Sequence, residues 1–283
     1  MKFSIITCTK NSARFINENI SSIRYQIFKD YEHVFIDGFS TDGTKEMILE
    51  YQKSNPTKIK FLQLEPKGIA NAMNEGICEA QGEYIIHLHS DDYLYDKNVL
   101  RDVANFLEKN NCDWIYGKEM RRNTMDDTLV VTNCTKYSRY SSNTFLGKYI
   151  LKFYFFIRHQ TVFIKKNVFD RYGLFDESLK CPMDYEFFLR IREHTRWVFF
   201  NRIIDNFVIH DHNQSITQKN HLENIIEIAI VQLRYMNRFE YKLKYIFDFL
   251  INFKYFIVDI TRALTSVKKE VYMRQNTIKV VKE

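Results

Sequence analysis

The sequence lacks a long apolar run, an arrangement of cysteines at metal-ligand spacing, and any internal repeat or low-complexity segment. Without a run of about 18 consecutive apolar residues it predicts no membrane-spanning helix. Its five cysteines are odd in number and scattered, so they predict reduced thiols in a cytosolic protein. The apolar stretch beginning at Phe3 predicts a buried strand rather than a signal peptide.

Positive charge is concentrated at the end of the chain. The net charge is +6, and residues 241–283 contain nine Lys or Arg against four acids. Such a tail predicts an anionic partner surface, and the near neutrality of the rest argues against nucleic acid. The Phe, Tyr and Ile of residues 241–263 predict a helix lying in a membrane interface, the alternative being a helix packed on protein.

Apolar and amphipathic stretches alternate through the first 115 residues. Strands are predicted at 3–7, 31–36, 58–64 and 83–89, and helices at about 16–26, 45–51 and 68–80. Helices between successive strands predict an α/β fold, in which a parallel sheet has helices on both faces. Further along, strands are predicted at 113–117 and 160–165, and helices at 167–172 and 184–193.

Three polar clusters follow strands of this predicted sheet: residues 7–11, Asp37, and the pair Asp91-Asp92. Ligands bind at the carboxyl ends of parallel strands, so these clusters should share one edge. Adjacent carboxylates repel each other unless a cation lies beside them, and Mg²⁺ or Mn²⁺ prefers carboxylate oxygens. The alternative is a solvated turn that caps a helix.

Six segments in order resemble the inverting family 2 glycosyltransferases of the GT-A fold. They are SIITCTKN at 4–11, VFIDGFSTDGT at 34–44, KGIANAMNEGICEAQGEYI at 67–85, HSDD at 89–92, HQTVFIKKNVFDRYGLFDESL at 159–179 and PMDYEFFLRI at 182–191. The IDG and AMN forms of these segments resemble the branch that builds bacterial surface polysaccharides.

The resemblance implies a Rossmann-like, mostly parallel central sheet with helices on both faces, plus a C-terminal helical tail. Residues 1–215 would be the catalytic domain, with a nucleotide-sugar half at about 1–115 and an acceptor half at about 116–215. Residues 216–283 would be a basic helical extension.

The resemblance also implies roles for residues on the donor side. The base and ribose would be held by Thr7, Cys8, Thr9, Asn11 and Asp37. Asp37 has the alternative of capping the turn that follows it. Gly38 stands where many relatives have a second acid, which leaves the base open, with UDP favoured over GDP or dTDP.

Lys67 and Asn74 would close over the ribose and pyrophosphate, although Asn74 has the alternative of stabilising its own helix. His159 and Gln160 resemble the pair that lines the diphosphate or acceptor edge.

For the metal, the resemblance implies Asp92 as the main protein ligand of a Mn²⁺ or Mg²⁺ bound to the donor diphosphate. Asp91 would contact ribose or sugar and serve as a second ligand. Whether His210 or His212 adds a ligand stays open. Histidines at 87 and 89 are interpreted as packed rather than ligating.

Asp184 occupies the position of the catalytic base, which takes a proton from the acceptor hydroxyl. Aspartate at a helix start is also a favourable cap, and Glu186 is the alternative acid.

These assignments predict transfer of a sugar from a nucleoside-diphosphate sugar to a hydroxyl of a glycan, lipid-linked in the favoured version. The protein is expected in the cytoplasm, peripheral on the inner face of the cell membrane. One rival is a sugar nucleotidyltransferase, against which the absence of glycine from residues 7–15 counts. The other is an inactive membrane-associated scaffold or glycan-binding module.

Overall fold

A computed structural model describes residues 1–124, 126, 128–132, 142, 147, 150–152, 156–210, 221–237, 239, 240, 242 and 244. Its strands are β1 Phe3–Thr9, β2 Tyr31–Asp37, β3 Ile59–Gln63, β4 Tyr84–His87, β5 Tyr93–Leu94, β6 Trp114–Asn123, β7 Leu129–Val131, β8 Val162–Lys165 and β9 Trp197–Ile209. Its helices are α1 Ile16–Arg24, α2 Thr44–Ser54, α3 Ile69–Glu79, α4 Val99–Lys109, α5 Lys166–Tyr172, α6 Met183–Ile191 and α7 His221–Tyr235.

The strands form one sheet in the order β3-β2-β1-β4-β8-β6-β9-β5, with β7 paired to β6. The first four of these are mutually parallel. Beyond them the sheet is mixed, because β8 runs antiparallel to both β4 and β6, whereas β9 runs parallel to β6. The parallel half places the carboxyl ends of β1, β2 and β4 at one edge.

Two hydrophobic clusters cover the two faces of the sheet. In β1, the side chains of Phe3 and Ile5 join the cluster with α4, whereas Ile6 joins the cluster with α3 and α6. Alternate residues of a strand point to opposite faces, so β1 is apolar on both sides, as a buried parallel strand requires. Helix α3 lies close to β1 at Gly76, where an added Cβ would stand 2.3 Å from Cγ2 of Ile6.

Stacked aromatic rings fix helix α6 against the mixed half of the sheet. The ring centroid of Trp114 in β6 lies 5.1 Å from that of Trp197 in β9 and 5.3 Å from that of Phe188 in α6. All three side chains are buried. The start of α6, which carries Asp184, is thereby held at a fixed place beside the sheet.

The predicted α/β fold is confirmed, and the predicted strands and helices correspond to β1–β4, β6, β8, α1–α3, α5 and α6. Helix α4 and the 13-residue strand β9 were not predicted.

The chain divides into compact units at 1–235 and 236–283, so α7 belongs to the first unit, beyond the boundary predicted at 215. No helix in the described part of the chain is long and apolar enough to cross a membrane. The interfacial helix predicted at 241–263 lies outside the described residues, except for Lys242 and Lys244.

Candidate active site

A cleft of about 630 Å³ opens at the carboxyl edge of the parallel strands. Its walls come from the loops after β1 and β4, the turn before β8, the end of β9, and helices α6 and α7. The lining residues are Cys8, Lys10, Asn11, Ser12, Phe15, Ile69, His89, Ser90, Asp91, His159, Gln160, Lys180, Cys181, Met183, Phe207, His210, Glu223, Asn224 and Glu227.

Five of the predicted site residues therefore face this cleft, namely Cys8, Asn11, Asp91, His159 and Gln160. Burial raises the pKa of the Cys8 thiol to about 12, so Cys8 lines the cleft as a neutral group. Phe15, Phe207 and the residues of α7 were not predicted as part of a site. Phe15 and Phe207 lie outside the six segments and α7 lies in the predicted tail, so no motif singled them out.

Helix α1 holds the loop that carries Asp91 and Asp92. The side chain of Asn19, fully buried, donates to the backbone carbonyls of His89 and Asp92, each at 2.9 Å. The hydroxyls of Ser12 and Ser90 are hydrogen-bonded at 2.9 Å. The loops after β1 and β4 are thus joined along one wall of the cleft.

Asp91 faces the cleft and is paired with His210. Nε2 of His210 lies 3.0 Å from Oδ2 of Asp91, and the Asp91 side chain is 23% exposed. The ring of Phe15 stacks on His210 with centroids 4.3 Å apart. A carboxylate oxygen and an imidazole nitrogen at this distance are suitable ligands for one divalent cation.

Asp92 has no exposed surface and does not line the cleft. The backbone N–H of Val208 donates to its Oδ1 at 3.3 Å, and Nε2 of Gln160 donates to its Oδ2 at 3.4 Å. Burial, and then the neighbouring Asp91 carboxylate, raise the pKa of Asp92 well above its usual value. The prediction of Asp92 as the main cation ligand therefore disagrees with this geometry, because the side chain faces the protein interior.

Asp184 lies in the first turn of helix α6 and is 5% exposed. Its Oδ1 accepts from the backbone N–H of Tyr185 at 2.8 Å, and its Oδ2 lies 3.0 Å from Nδ1 of His159. His159 and Met183, the neighbour of Asp184, both line the cleft. The alternative acid, Glu186, is instead bound by Arg190 and Tyr235.

Asp37 lies at the end of β2, fully buried. Its carboxylate accepts from Thr9 Oγ1 at 2.8 Å, from Gln63 Nε2 at 2.9 Å, and from both the backbone N–H and the hydroxyl of Ser40, at 2.9 and 2.5 Å. Burial by itself would raise the pKa of Asp37, but these hydrogen bonds outweigh it and lower the pKa below its usual value. Asp37 thus caps the following turn, whatever else it binds.

The loops after β1 and β2 are joined through residues with left-handed backbones. Asn11 has φ 52° and Phe39 has φ 58°. The backbone N–H of Asn11 donates to Ser40 Oγ at 2.9 Å, and the backbone N–H of Thr41 donates to Asn11 Oδ1 at 2.9 Å. Asn tolerates this backbone conformation well, so the sequence supports the geometry there.

Five predicted donor-side residues are not part of the cleft lining, namely Thr7, Thr9, Asp37, Lys67 and Asn74. Thr7 is fully buried, and its hydroxyl donates to the Leu88 carbonyl at 2.9 Å. Lys67 is exposed at the surface and is not part of the cleft lining.

Asn74 uses its side-chain amide to bind the loop after α5. Its Nδ2 donates to the carbonyl of Phe175 at 3.0 Å and to Glu177 Oε1 at 2.9 Å, and its Oδ1 accepts from the N–H of Phe175 at 2.9 Å. These bonds join α3 to a distant loop, whereas the alternative predicted from the sequence was stabilisation of the residue's own helix.

Within the described residues, no three His, Cys, Asp or Glu side chains are grouped so that they could hold a metal ion by themselves. Asp91 and His210 are a pair only, and His212 lies outside those residues. A cation at this pair would need further oxygen ligands from a bound molecule.

The sequence profile described as Glycosyl transferase family 2 matches residues 4–173. The chain belongs to this family. A glycosyltransferase of Rickettsia typhi, named as uncharacterized, is 30% identical over 223 residues, which cover 78% of this family 2 chain and 68% of that protein. The resemblance predicted from the six segments is thus confirmed.

A second family 2 relative is the poly(ribitol-phosphate) beta-N-acetylglucosaminyltransferase TarS of Staphylococcus aureus. It is 33% identical over 115 residues, which are 40% of this chain and 20% of TarS. The chain therefore matches only a small part of the length of this relative.

Two solved structures show the same GT-A fold as this family 2 chain. Residues 1–349 of S. aureus TarS in complex with UDP-GlcNAc give a TM-score of 0.64 at 23% identity, covering 82% of this chain and 66% of that one. The mannosyltransferase PcManGT from Pyrobaculum calidifontis, in complex with GDP-Man and Mn²⁺, gives 0.63 at 15% identity, covering 83% and 65%.

Proposed function

We propose that this protein is an inverting, cation-dependent glycosyltransferase that moves a sugar from a nucleoside-diphosphate sugar to a hydroxyl of a glycan. One observation carries the proposal. Two carboxylates with different histidine partners lie at one cleft: Asp91 lines it beside His210, and Asp184 is bonded to His159, which lines it. Inversion by single displacement needs two such groups, because the leaving group and the nucleophile occupy opposite faces of the sugar.

On the donor side, Asp91 and His210 would hold a Mn²⁺ or Mg²⁺, with the remaining ligands supplied by the donor diphosphate. When bound, such a cation neutralises the negative charge that grows on the phosphate oxygens as the nucleoside diphosphate leaves. We assign Asp91 rather than Asp92 as the principal ligand. Asp92 would position Gln160 and the end of β9, because it is bonded to Gln160 and Val208.

On the acceptor side, Asp184 would act as the base. It would take the proton of the acceptor hydroxyl while that oxygen forms a bond to the anomeric carbon and the bond from that carbon to the diphosphate breaks. A positioned general base typically contributes about 10²–10⁴-fold to the rate. The network of Glu186 with Arg190 and Tyr235 counts against Glu186 in this role.

For the nucleotide, Asp37, Thr9, Cys8 and Asn11 would surround the base and ribose. Asp37 keeps its charge in the low-pKa environment described above, and a base N–H would have to replace one of its bonds to Thr9, Ser40 or Gln63. UDP is favoured over GDP or dTDP, which the TarS complex with UDP-GlcNAc supports at the level of the fold. Lys67, which is exposed at the surface, would close over the ribose and pyrophosphate of the donor.

The acceptor would be a lipid-linked glycan of surface polysaccharide biosynthesis. The basic, aromatic-rich residues 241–283 would bring the protein to the inner face of the cell membrane. Relatives support the polysaccharide assignment, since they include TarS and a chondroitin synthase of Pasteurella multocida.

The testing experiment screens UDP-, GDP- and dTDP-sugars for thermal stabilisation with and without Mn²⁺, followed by nucleotide-release assays. Ligand binding to the native state raises the apparent stability. Release of a nucleoside diphosphate from one of them supports the proposal. Pyrophosphate formation from a nucleoside triphosphate and a sugar phosphate would instead identify a nucleotidyltransferase, and glycan binding without turnover would identify an inactive binding module.

A further inference from the structure

Three side chains from three separate elements form a chain of hydrogen bonds across the cleft wall. His89 lies in the loop after β4, His159 in the turn before β8, and Asp184 at the start of α6. Nδ1 of His159 lies 3.0 Å from Oδ2 of Asp184, and Nε2 of His159 lies 2.8 Å from Nε2 of His89. The two imidazole rings meet edge to face at 79°.

The direction of these hydrogen bonds follows from the chemistry of the Asp184 carboxylate. An ionised carboxylate only accepts hydrogen bonds, so Nδ1 of His159 carries the proton that lies between it and Asp184. When His159 carries its only proton at Nδ1, its Nε2 is an acceptor, and in this arrangement His89 donates through its own Nε2–H. Both protons point toward Asp184, and the carboxylate selects the tautomer of each ring.

The remaining bond to Asp184 completes the restraint. Its Oδ1 accepts from the N–H of Tyr185 at 2.8 Å, while its Oδ2 accepts from His159. Each oxygen is held by one donor and keeps one lone pair for another. Because the side chain of His159 is itself only 16% exposed and is fixed by His89, rotation of the carboxylate is restricted from both ends.

We propose that His159 and His89 are positioning residues that hold the Asp184 carboxylate in place for proton abstraction. Through them the base is tied to the loop that carries Asp91, which joins the acceptor wall of the cleft to the donor wall. This inference rests on the proposed function, since it deepens the role given to Asp184. A misplacement of about 1 Å at a reacting group lowers rates by roughly 100-fold.

Side-chain geometry supplies matched variants. His159→Asn retains an N–H near the position of Nδ1 and can still donate to Asp184, whereas His159→Ala removes both bonds. His89→Gln retains an N–H near Nε2, whereas His89→Ala does not. His194 is an exposed histidine that stacks on Tyr172 outside the cleft lining, so His194→Asn is the control for histidine replacement in general.

The measurement is the rate of nucleoside diphosphate release from the donor that the screen identifies, together with the Kd of the same nucleotide in the presence of Mn²⁺. His159→Ala should lower kcat by about 100-fold while nucleotide Kd stays within about threefold. His159→Asn should recover most of the loss, and His89→Ala should fall between the two. A kcat of His159→Ala near the wild-type value overturns the proposal, as does a Kd that weakens in parallel with kcat or a His159→Asn variant no better than alanine.

A second measurement does not depend on turnover. Nitrogen-15 NMR of the imidazole rings should show His159 protonated at Nδ1 and His89 at Nε2, and Asp184→Leu should release the Nδ1–H preference of His159. An Nε2–H tautomer of His159 in the wild-type protein overturns the inferred chain. If the wild-type protein releases no nucleoside diphosphate from any donor, the proposed function fails, and the NMR result alone decides whether the chain exists.

Discussion

Asp91 and Asp92 are adjacent in sequence, yet only Asp91 reaches the cleft, where it lies 3.0 Å from His210. Asp92 points into the protein and is bonded to Val208 and Gln160. Successive residues beyond a strand often face opposite ways, and here this divides the pair into one group that can bind a ligand and one that supports it. The two carboxylates should therefore respond differently to the same substitution.

Asp91→Asn should abolish the Mn²⁺ dependence of nucleotide binding and lower sugar transfer by about 100-fold or more, since a bound cation stabilises the departing charge by several kcal/mol. Calorimetry of nucleotide binding at increasing Mn²⁺ concentrations measures the Mn²⁺ dependence of the nucleotide Kd. Asp92→Asn, which keeps an acceptor oxygen for Val208, should retain the Mn²⁺ dependence. Loss of that dependence in the Asp92 variant, with Asp91→Asn unaffected, would return the ligand role to Asp92.

Asp184→Asn should lower kcat by about 10²–10⁴-fold with little change in donor binding, because the amide cannot take the acceptor proton. Single-turnover transfer and equilibrium nucleotide binding separate the two. Glu186→Gln is the matched control, since Glu186 lies two residues away on the same helix but is bound by Arg190 and Tyr235. Glu186→Gln should lower thermal stability without lowering kcat. A larger loss of kcat in Glu186→Gln than in Asp184→Asn would assign the role of base to Glu186.

Asn74→Ala should reduce stability rather than donor affinity. The substitution removes the buried bonds to Phe175 and Glu177 and leaves the N–H and C=O of Phe175 without that partner, which costs about 1–3 kcal/mol for an unsatisfied group. Urea unfolding measures the loss. A normal unfolding midpoint with a large rise in donor KM would show instead that Asn74 contacts the donor.

His33→Phe should weaken the pH dependence of stability in the acid range. Burial lowers the pKa of His33 from 6.5 to about 3, so the folded protein holds the neutral ring and the unfolded chain takes up the proton first. Wild-type stability therefore falls as the pH drops below about 6.5. Between pH 7.5 and 5.5 the wild-type protein should lose roughly 1 kcal/mol more than the variant.

Urea unfolding at the two pH values tests this difference. Asp92 and Asp205, whose pKa values are raised by burial, act in the opposite direction, but both are present in the wild-type protein and in the variant. Their contribution cancels in the comparison. Equal losses in the two proteins would mean that His33 is already accessible to protons in the native state.

Much of the fold could be predicted because short sequence patterns indicate each strand and helix of its parallel half. Runs such as Phe3–Thr9 and Tyr31–Asp37 are apolar and short, and amphipathic helices separate them. Strand β9 was not predicted because Asn201 and Arg202 interrupt its apolar pattern. It also pairs with β5 and β6, and no local pattern shows which strands will be its neighbours.

The site was predictable to the level of the segment but not of the side chain. HSDD at 89–92 identifies the donor loop, yet the choice between Asp91 and Asp92 depends on the distant residues His210 and Val208. The proposed base, Asp184, was predicted from its segment, whereas its bond to His159 depends on a turn formed 25 residues earlier. Contacts between residues far apart in sequence leave no periodic signal.

Strand β9 has a consequence for the order in which the protein is assembled. It lies between β6 and β5, and it brings both Val208 and His210 to an acid loop that was synthesised more than a hundred residues earlier. Until β9 emerges from the ribosome, β6 has an open edge and β5 has no partner within the described sheet. The nascent chain thus exposes an unpaired strand edge of the kind that promotes association between chains, and its donor loop remains incomplete until the final strand is inserted.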